Sequence, residues 1–212
     1  MTMIEQGSAE WLALRVGKVT ASRMADLTAR TKSGWGASRA NYMADLIAER
    51  LTGVPAEHYI NGAMQWGIDT EPEARAAYQF ETGTLVQPAS FVPHPTIAMS
   101  GASPDGAVGD KGLLECKCPN TATHIDTLLG QAVPAKYICQ MQWQMACAGR
   151  QWCDFVSFDP RMPESMQLWI RRISRDNAMI ATLEAQVIEF IAELDEKVNA
   201  LRTLYEPTAA AA

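Results

Sequence analysis

The chain has 212 residues, 48% of them apolar, enough to pack the core of one large domain or two small ones. A formal net charge of −6 excludes a coat-like nucleic-acid binder held by overall positive charge, though not an enzyme whose basic residues line one channel. No run of about 18 uncharged apolar residues offers a membrane span. The opening "MTMIEQGSAEW" lacks the basic-then-apolar order of a secretory signal, so a cytoplasmic protein is expected. The cysteines Cys116, Cys118, Cys139, Cys147 and Cys153 are odd in number, which argues against a disulfide framework. Cys116-x-Cys118 lacks the second Cys or His pair of a zinc site.

In chain order, "SAEWLALRVG" reads as a short helix capped by Ser8 and stopped near Gly17. "TASRMADLTA" repeats that logic with Thr20 as the cap. "SRANYMADLIAERLTG" is a stronger helix, with Ser38 as cap, Tyr42, Leu46, Ile47 and Leu51 as its apolar stripe, and Gly53 as its end. A helix over 62–81 follows, with Pro72 expected to kink it or split it in two. "TLVQP", "SFVPH", "TIAMSGASPDGAV" and "GLLECKCP" read as neighbouring strands of one sheet, with "GDKG" as a hairpin turn. "TATHIDTLLG" is a short helix, and "VPAKYICQMQWQMACAG" a longer one with Pro134 in its first turn. "QWCDFVSFDP" and "MQLWIRRI" are further strands. A long amphipathic helix then leads to a frayed tail, about residues 205–212. This order predicts a single α/β domain: a central mixed β-sheet with helices on both faces.

The chemistry concentrates in "SPDGAVGDKGLLECKCP". Strand alternation puts Glu115 and Lys117 on one face and Leu114, Cys116 and Cys118 on the other. A carboxylate and an ammonium sharing a buried face must pair or bind something charged. Asp105 sits in a Pro-Asp-Gly turn, and the hairpin folds it back beside Glu115. Two convergent carboxylates suit Mg2+, which prefers oxygen ligands and keeps some waters, and the carbonyl of Cys116 is a further candidate donor. A lysine beside that metal can orient or deprotonate an attacking water, or neutralise a phosphate. The combination suits phosphodiester hydrolysis.

Positive charge is uneven, with Arg15, Lys18, Arg23, Arg30, Lys32 and Arg39 all in the first forty residues. Trp66, Trp143, Trp152 and Trp169 lie in periodic apolar contexts and read as core. Trp35, in a Gly- and Ser-rich loop, is open between touching unstacked bases and packing. His58, His94 and His124 form no pattern and read as incidental.

"SPDG" followed by "LLECKCP" resembles the P-D…(D/E)-x-K nuclease signature, and more closely the phage lambda-type exonuclease, or alkaline exonuclease, family. "EWLALRVGKVTAS", "MQWGIDTEPEAR", "AKYICQMQWQM" and "FDPRMP" resemble further segments of that family, in its order, over about residues 8–200. The resemblance implies the restriction-endonuclease-like nuclease fold. It also implies Asp105, Glu115 and the Cys116 carbonyl as metal ligands, Lys117 as the residue that positions or activates the water, and Glu71 near a second metal. Gln140 would act from its helix on the metal-bound water or the scissile phosphate, with Gln142 and Gln144 as competing candidates. Tyr137, on roughly the same face as Gln140, is open between substrate contact and packing. Arg15 would receive a 5′-terminal phosphate, with Ser22 and Ser103 donating hydroxyl hydrogen bonds.

The implied activity is a Mg2+-dependent 5′-to-3′ exonuclease on linear double-stranded DNA, with Mn2+ able to substitute. A ring-shaped homotrimer and a single-strand annealing recombinase as partner follow from the same resemblance. Its rivals are an endonuclease with the same metal site and a non-catalytic DNA-binding module on the same fold.

Overall fold

Helix ends are set by local chemistry. In this computed structural model, which describes residues 4–56 and 61–206, Ser8 accepts the N–H of Trp11 and starts α1 (Ala9–Arg15). The chain then runs through β1 (Val19–Thr20), a 3-10 turn (Ala21–Arg23), α2 (Met24–Leu27), the small hairpin of β2 (Arg30–Thr31) and β3 (Gly34–Trp35), and α3 (Ala37–Thr52). Next come α4 (Gly62–Thr82), β4 (Val86–Gln87), β5 (Val92–Pro93), β6 (Ser100–Ala102), β7 (Gly106–Val108) and β8 (Gly112–Lys117). The rest comprises α5 (Thr121–Gly130), α6 (Ala135–Ala148), β9 (Trp152–Phe158), α7 (Glu164–Gln167), β10 (Leu168–Ser174) and α8 (Asn177–Tyr205).

Five strands form the main sheet in the order β10-β9-β8-β7-β4. The "GDKG" hairpin pairs β7 and β8 antiparallel, while β8 and β9 run parallel. Parallel neighbours need a long crossover, and α5 and α6 supply it. One face packs Leu114, Cys116, Val156 and Phe158 against Ala74 and Tyr78 of α4. The other packs Leu113, Cys153 and Phe155 against Met141 and Met145 of α6. A third cluster joins α2, α3 and α8 to the far side of α6 through Tyr42, Leu46, Trp143, Val187 and Phe190. Each fully buried large apolar side chain contributes on the order of 1.5–3 kcal/mol through area removed from water. That surplus is what allows a charge to be kept inside.

Several expectations change. The short strands do not share one sheet: β5 and β6 join β1 in a separate three-stranded sheet, and only β4, β7 and β8 enter the main one. The chain crosses between the sheets at Ser103–Asp105, so Asp105 stands where they meet. α4 is continuous through Pro72. A mid-helix proline costs about 3 kcal/mol, but Pro72 and Ile68, whose carbonyl loses its partner, are both exposed, and the burial of Thr70, Ala74 and Tyr78 holds the helix. "TASRMADLTA" is not one helix, because Val19–Thr20 pairs with β6 first, and Thr20 makes no side-chain cap bond. α3 starts after Gly36, so Ser38 falls inside it, and Leu51 is 40% exposed while Arg39, Met43 and Glu49 turn inward. Pro134 is the N-cap of α6, and Met166 and Gln167 end α7 instead of starting a strand.

Trp66 and Trp152 are only half-buried, each under an arginine guanidinium, whereas Trp143 and Trp169 are core. Two of the histidines are built in. His124 bridges the Ser157 hydroxyl (2.7 Å) and the Met166 carbonyl (2.8 Å), and His94 stacks on Trp143. His58 and the tail beyond residue 206 lie outside the described residues, while α8 reaches Tyr205. Among the described residues no helix is long and apolar enough to cross a membrane.

Candidate active site

Alternation along β8 turns Glu115 and Lys117 toward α6 and Cys116 toward α4. Glu115 is fully buried. An unpaired carboxylate there would cost several kcal/mol, and three donors offset it. Gln140 Nε2 donates to Oε1 at 2.6 Å, Gln144 Nε2 donates to Oε2 at 2.5 Å, and the Lys117 ammonium pairs with Oε1. Gln140 and Gln144 lie four apart on α6 and so share one face.

Asp105 reaches the same strand from the sheet crossing. Its N–H donates to the Leu114 carbonyl, and its Oδ2 accepts the Cys116 N–H at 2.7 Å. N–H and C=O of one strand residue point the same way, so the Cys116 carbonyl also faces the Asp105 side, beyond the end of β7. Burial, then repulsion from Glu115 and Glu71, pushes the Asp105 carboxyl well above its usual range, against the pull of Lys117. Burial alone would lower the Lys117 pKa, but Glu115 and Asp105 overcome it and the ammonium is held charged.

Glu71, on α4, is near enough to repel Asp105 but is ion-paired with Arg75 at 2.5 Å. Among the described residues no three His, Cys, Asp or Glu side chains converge tightly enough to hold an ion by themselves. The donors at hand are two carboxylates, a strand carbonyl and a third carboxylate at the edge. These are oxygen ligands with net negative charge that a hard divalent cation would relieve, and they fit Mg2+.

A second feature opens beside the crossing. A cavity of about 400 Å3 is lined by Trp11, Arg15, Lys18, Ser22, Arg23 and Glu49, among others. Arg15 Nη1 (3.1 Å) and Trp11 Nε1 (3.0 Å) both donate to the Ser103 hydroxyl. With two donors on its oxygen, that hydroxyl can direct its own proton only outward. Arg23 is tied to Asp26 and Asp45, whereas Arg15 has no carboxylate partner among the described residues. Burial lowers the Arg15 pKa, opposed by Tyr42 and Glu49. A partly desolvated guanidinium with only a neutral hydroxyl as hydrogen-bond partner among the described residues keeps donors to spare for an anion. Ser22 is exposed on the cavity wall, 3.5 Å from the Thr20 hydroxyl.

Of the remaining candidates, Tyr137 stacks on Phe155 with its ring centroid 5.3 Å from Lys117 Nζ, so it touches core and site together. Trp35 lies between the guanidiniums of Arg30 and Arg39, 3.3 and 4.2 Å from its centroid. Gln142 is drawn away, to the Ser174 carbonyl and the Asp176 N–H. Trp11 was missed, although its spacing of four before Arg15 on a short helix is legible.

The YqaJ-like viral recombinase domain model matches residues 10–151, from α1 into the turn before β9. The chain belongs to this family. The YqaJ-like match contains every candidate site residue named above, while the "FDPRMP" segment lies beyond it. The chain is similar to an alkaline exonuclease (LHK-Exo) from Laribacter hongkongensis, with 55% identity over 92% of this chain and 97% of that one and a TM-score of 0.86. A structure of LHK-Exo in complex with dAMP matches at 54% identity, with the same coverage and a TM-score of 0.87. A phage-related exonuclease from Haemophilus somnus 129PT matches at 18% identity over 87% of this chain and 96% of that one, with a TM-score of 0.71, and shares the fold. That fold is of the PD-(D/E)xK type. Among curated proteins, none matches the chain.

Proposed function

We propose that this protein, a nuclease by family, is a Mg2+-dependent 5′-to-3′ exonuclease that digests the 5′-ended strand of linear double-stranded DNA and leaves a 3′ overhang for phage-type recombination by strand annealing. The observation that carries the proposal is the coupling of two sites through one short segment. The Ser103 hydroxyl holds Arg15, which lines the cavity, and Asp105, two residues on, accepts the Cys116 N–H. Two residues of extended chain span about 7 Å, a gap that a single nucleotide can bridge. An anchor for a terminal phosphate and a cutting centre that close together favour removal of one nucleotide at a time.

Asp105, Glu115 and the Cys116 carbonyl would hold the metal, with Glu71 beside it. When bound, Mg2+ supplies Lewis acidity at the scissile phosphate and a more acidic water. Lys117 stays charged and offers its ammonium to the attacking water or to the phosphate oxygens. Gln140 holds the Glu115 carboxylate in place and can turn its amide to the same water. Arg15, with the Ser103 and Ser22 hydroxyls, receives the 5′-phosphate; Tyr137 and Trp35 are candidate DNA contacts. Mn2+ would substitute for Mg2+. A homotrimeric ring around the DNA, a single-strand annealing partner, a single domain and a cytoplasmic location complete the proposal.

The test uses linear duplexes with and without a 5′-phosphate, closed circular DNA, Mg2+, and a Lys117→Ala control. Mononucleotide release only from linear DNA, faster with the phosphate and absent in the control, supports the proposal. Nicking of the circle would replace it with an endonuclease. No Mg2+-dependent hydrolysis of any substrate would leave a DNA-binding module.

A further inference from the structure

We infer that Gln144 is a positioning residue for the metal centre, fixing Glu115 through the oxygen that Lys117 and Gln140 leave alone. The inference rests on the reading of Glu115 as a metal ligand. Both Gln140 and Lys117 act on Oε1, and contacts to one oxygen let a carboxylate pivot about it. The amide of Gln144 engages Oε2 at 2.5 Å and removes that freedom. The anchor itself is rigid: Gln144 is fully buried one turn from Gln140, in a helix packed against the sheet through Met141 and Met145.

The amide is also oriented. Its carbonyl oxygen faces the Cys153 thiol at 4.0 Å, and a carboxylate can face only the NH2 end. Burial and the surrounding carboxylates push the Cys153 thiol well up, so the sulfur keeps its proton, with the Gln144 and Asp154 carbonyls at 4.0 and 3.9 Å as its two acceptors. A chain therefore runs from Cys153 on β9 through Gln144 on α6 to Glu115 on β8. Of the three glutamines in the helix, two serve Glu115 and Gln142 serves the turn before α8. Groups that orient metal ligands in this way commonly change metal affinity about 10- to 100-fold when removed.

The test compares full-length wild type, Gln144→Met, which keeps length but loses the donor, and Gln144→Asn, which is too short to reach. Mn2+ binding is measured by calorimetry without DNA, alongside thermal melting and steady-state rates. The expected result is Mn2+ affinity weakened about 10- to 100-fold in both variants, with kcat reduced, KM for 5′-phosphorylated DNA unchanged, and the rate partly restored by raising Mn2+. A merely structural role would move the melting temperature and leave the Mn2+ titration alone. Wild-type Mn2+ affinity in folded Gln144→Met overturns the inference. Glu115→Gln binding Mn2+ as wild type does would overturn the reading of Glu115 as a ligand, and the inference with it.

Discussion

Replacing Arg15 with Ala separates the two halves of the site. In the folded protein the guanidinium has a neutral hydroxyl and the Trp11 ring, 4.0 Å from its centroid, as close partners, and burial works against its charge. Removing a partly desolvated cation without a carboxylate partner leaves no carboxylate stranded, so stability should change by less than about 1 kcal/mol. A terminal phosphate loses a charge-assisted hydrogen bond worth about 1.5–3 kcal/mol, or about 10- to 150-fold. The assay is kcat/KM on one linear duplex carrying either a 5′-phosphate or a 5′-hydroxyl. Wild type should prefer the phosphate, and Arg15→Ala should lose that preference by this factor while its rate on the hydroxyl end holds. Arg15→Lys, which keeps charge but not the planar fork, should fall between. An undiminished preference in the variant, or an equal fall on both ends, would refute the assignment of this cavity to the terminal phosphate.

Other outcomes can be checked separately. Gly17 has φ +67°, and a Cβ there would meet Arg50 Cγ at 2.7 Å, displacing the guanidinium that donates to the Gly17 carbonyl. Gly17→Ala should therefore cost about 2–4 kcal/mol from the left-handed backbone and the lost charged hydrogen bond, seen as a lower urea midpoint. Lys117→Met should abolish hydrolysis while DNA binding, followed by anisotropy in Ca2+, is retained. Burial alone would raise the Asp159 carboxyl, but hydrogen bonds from Arg161 and Thr121 hold it at about 2. Its stabilisation is thus complete above the unfolded value of about 4 and lost as pH falls toward about 2, so Asp159→Asn should flatten that part of the stability–pH curve.

The proposed site residues of β8 and its hairpin were legible because they sit in a short-range pattern, whereas Arg15, Glu71 and Gln140 were implied only by the family resemblance. Alternation in "LLECK" separated Glu115 from Cys116, and the Pro-Asp-Gly turn announced Asp105. Ser8 as a cap and Gly53 as a stop marked helix ends for the same local reason, while Thr20 and Ser38 cap nothing. Illegible were features decided at long range. Pro72 reads as a break, and only burial of Tyr78 and Ala74 against β8 and β9 overrides it. The division of the short strands between two sheets depends on β1, more than eighty residues upstream of β6, pairing as Val19↔Ser100 and Thr20↔Gly101. Trp35 gave no decision because its partners, Arg30 and Arg39, are set by the hairpin and by the Arg39–Glu193 ion pair to α8.

That division of the strands also bears on the chemistry. β6 belongs to the sheet that carries the wall of the Arg15 cavity, and β7 and β8 belong to the sheet that carries Glu115 and Lys117. The residues between them are Ser103, Pro104 and Asp105. Proline fixes φ at the middle position and stiffens the link. The Gln6 amide donates to the Pro104 carbonyl at 2.8 Å, tying the segment that precedes α1 to the same crossing. A phosphate that draws Arg15 and Ser103 together therefore pulls on the residue next but one to it, a proposed metal ligand. Pro104→Gly should test this mechanical link: the lower KM for the 5′-phosphate end and the metal affinity should each survive, while the gain in kcat from the 5′-phosphate shrinks. If that gain is unchanged, the two sites act independently, and the short spacing between them reflects only the sheet crossing.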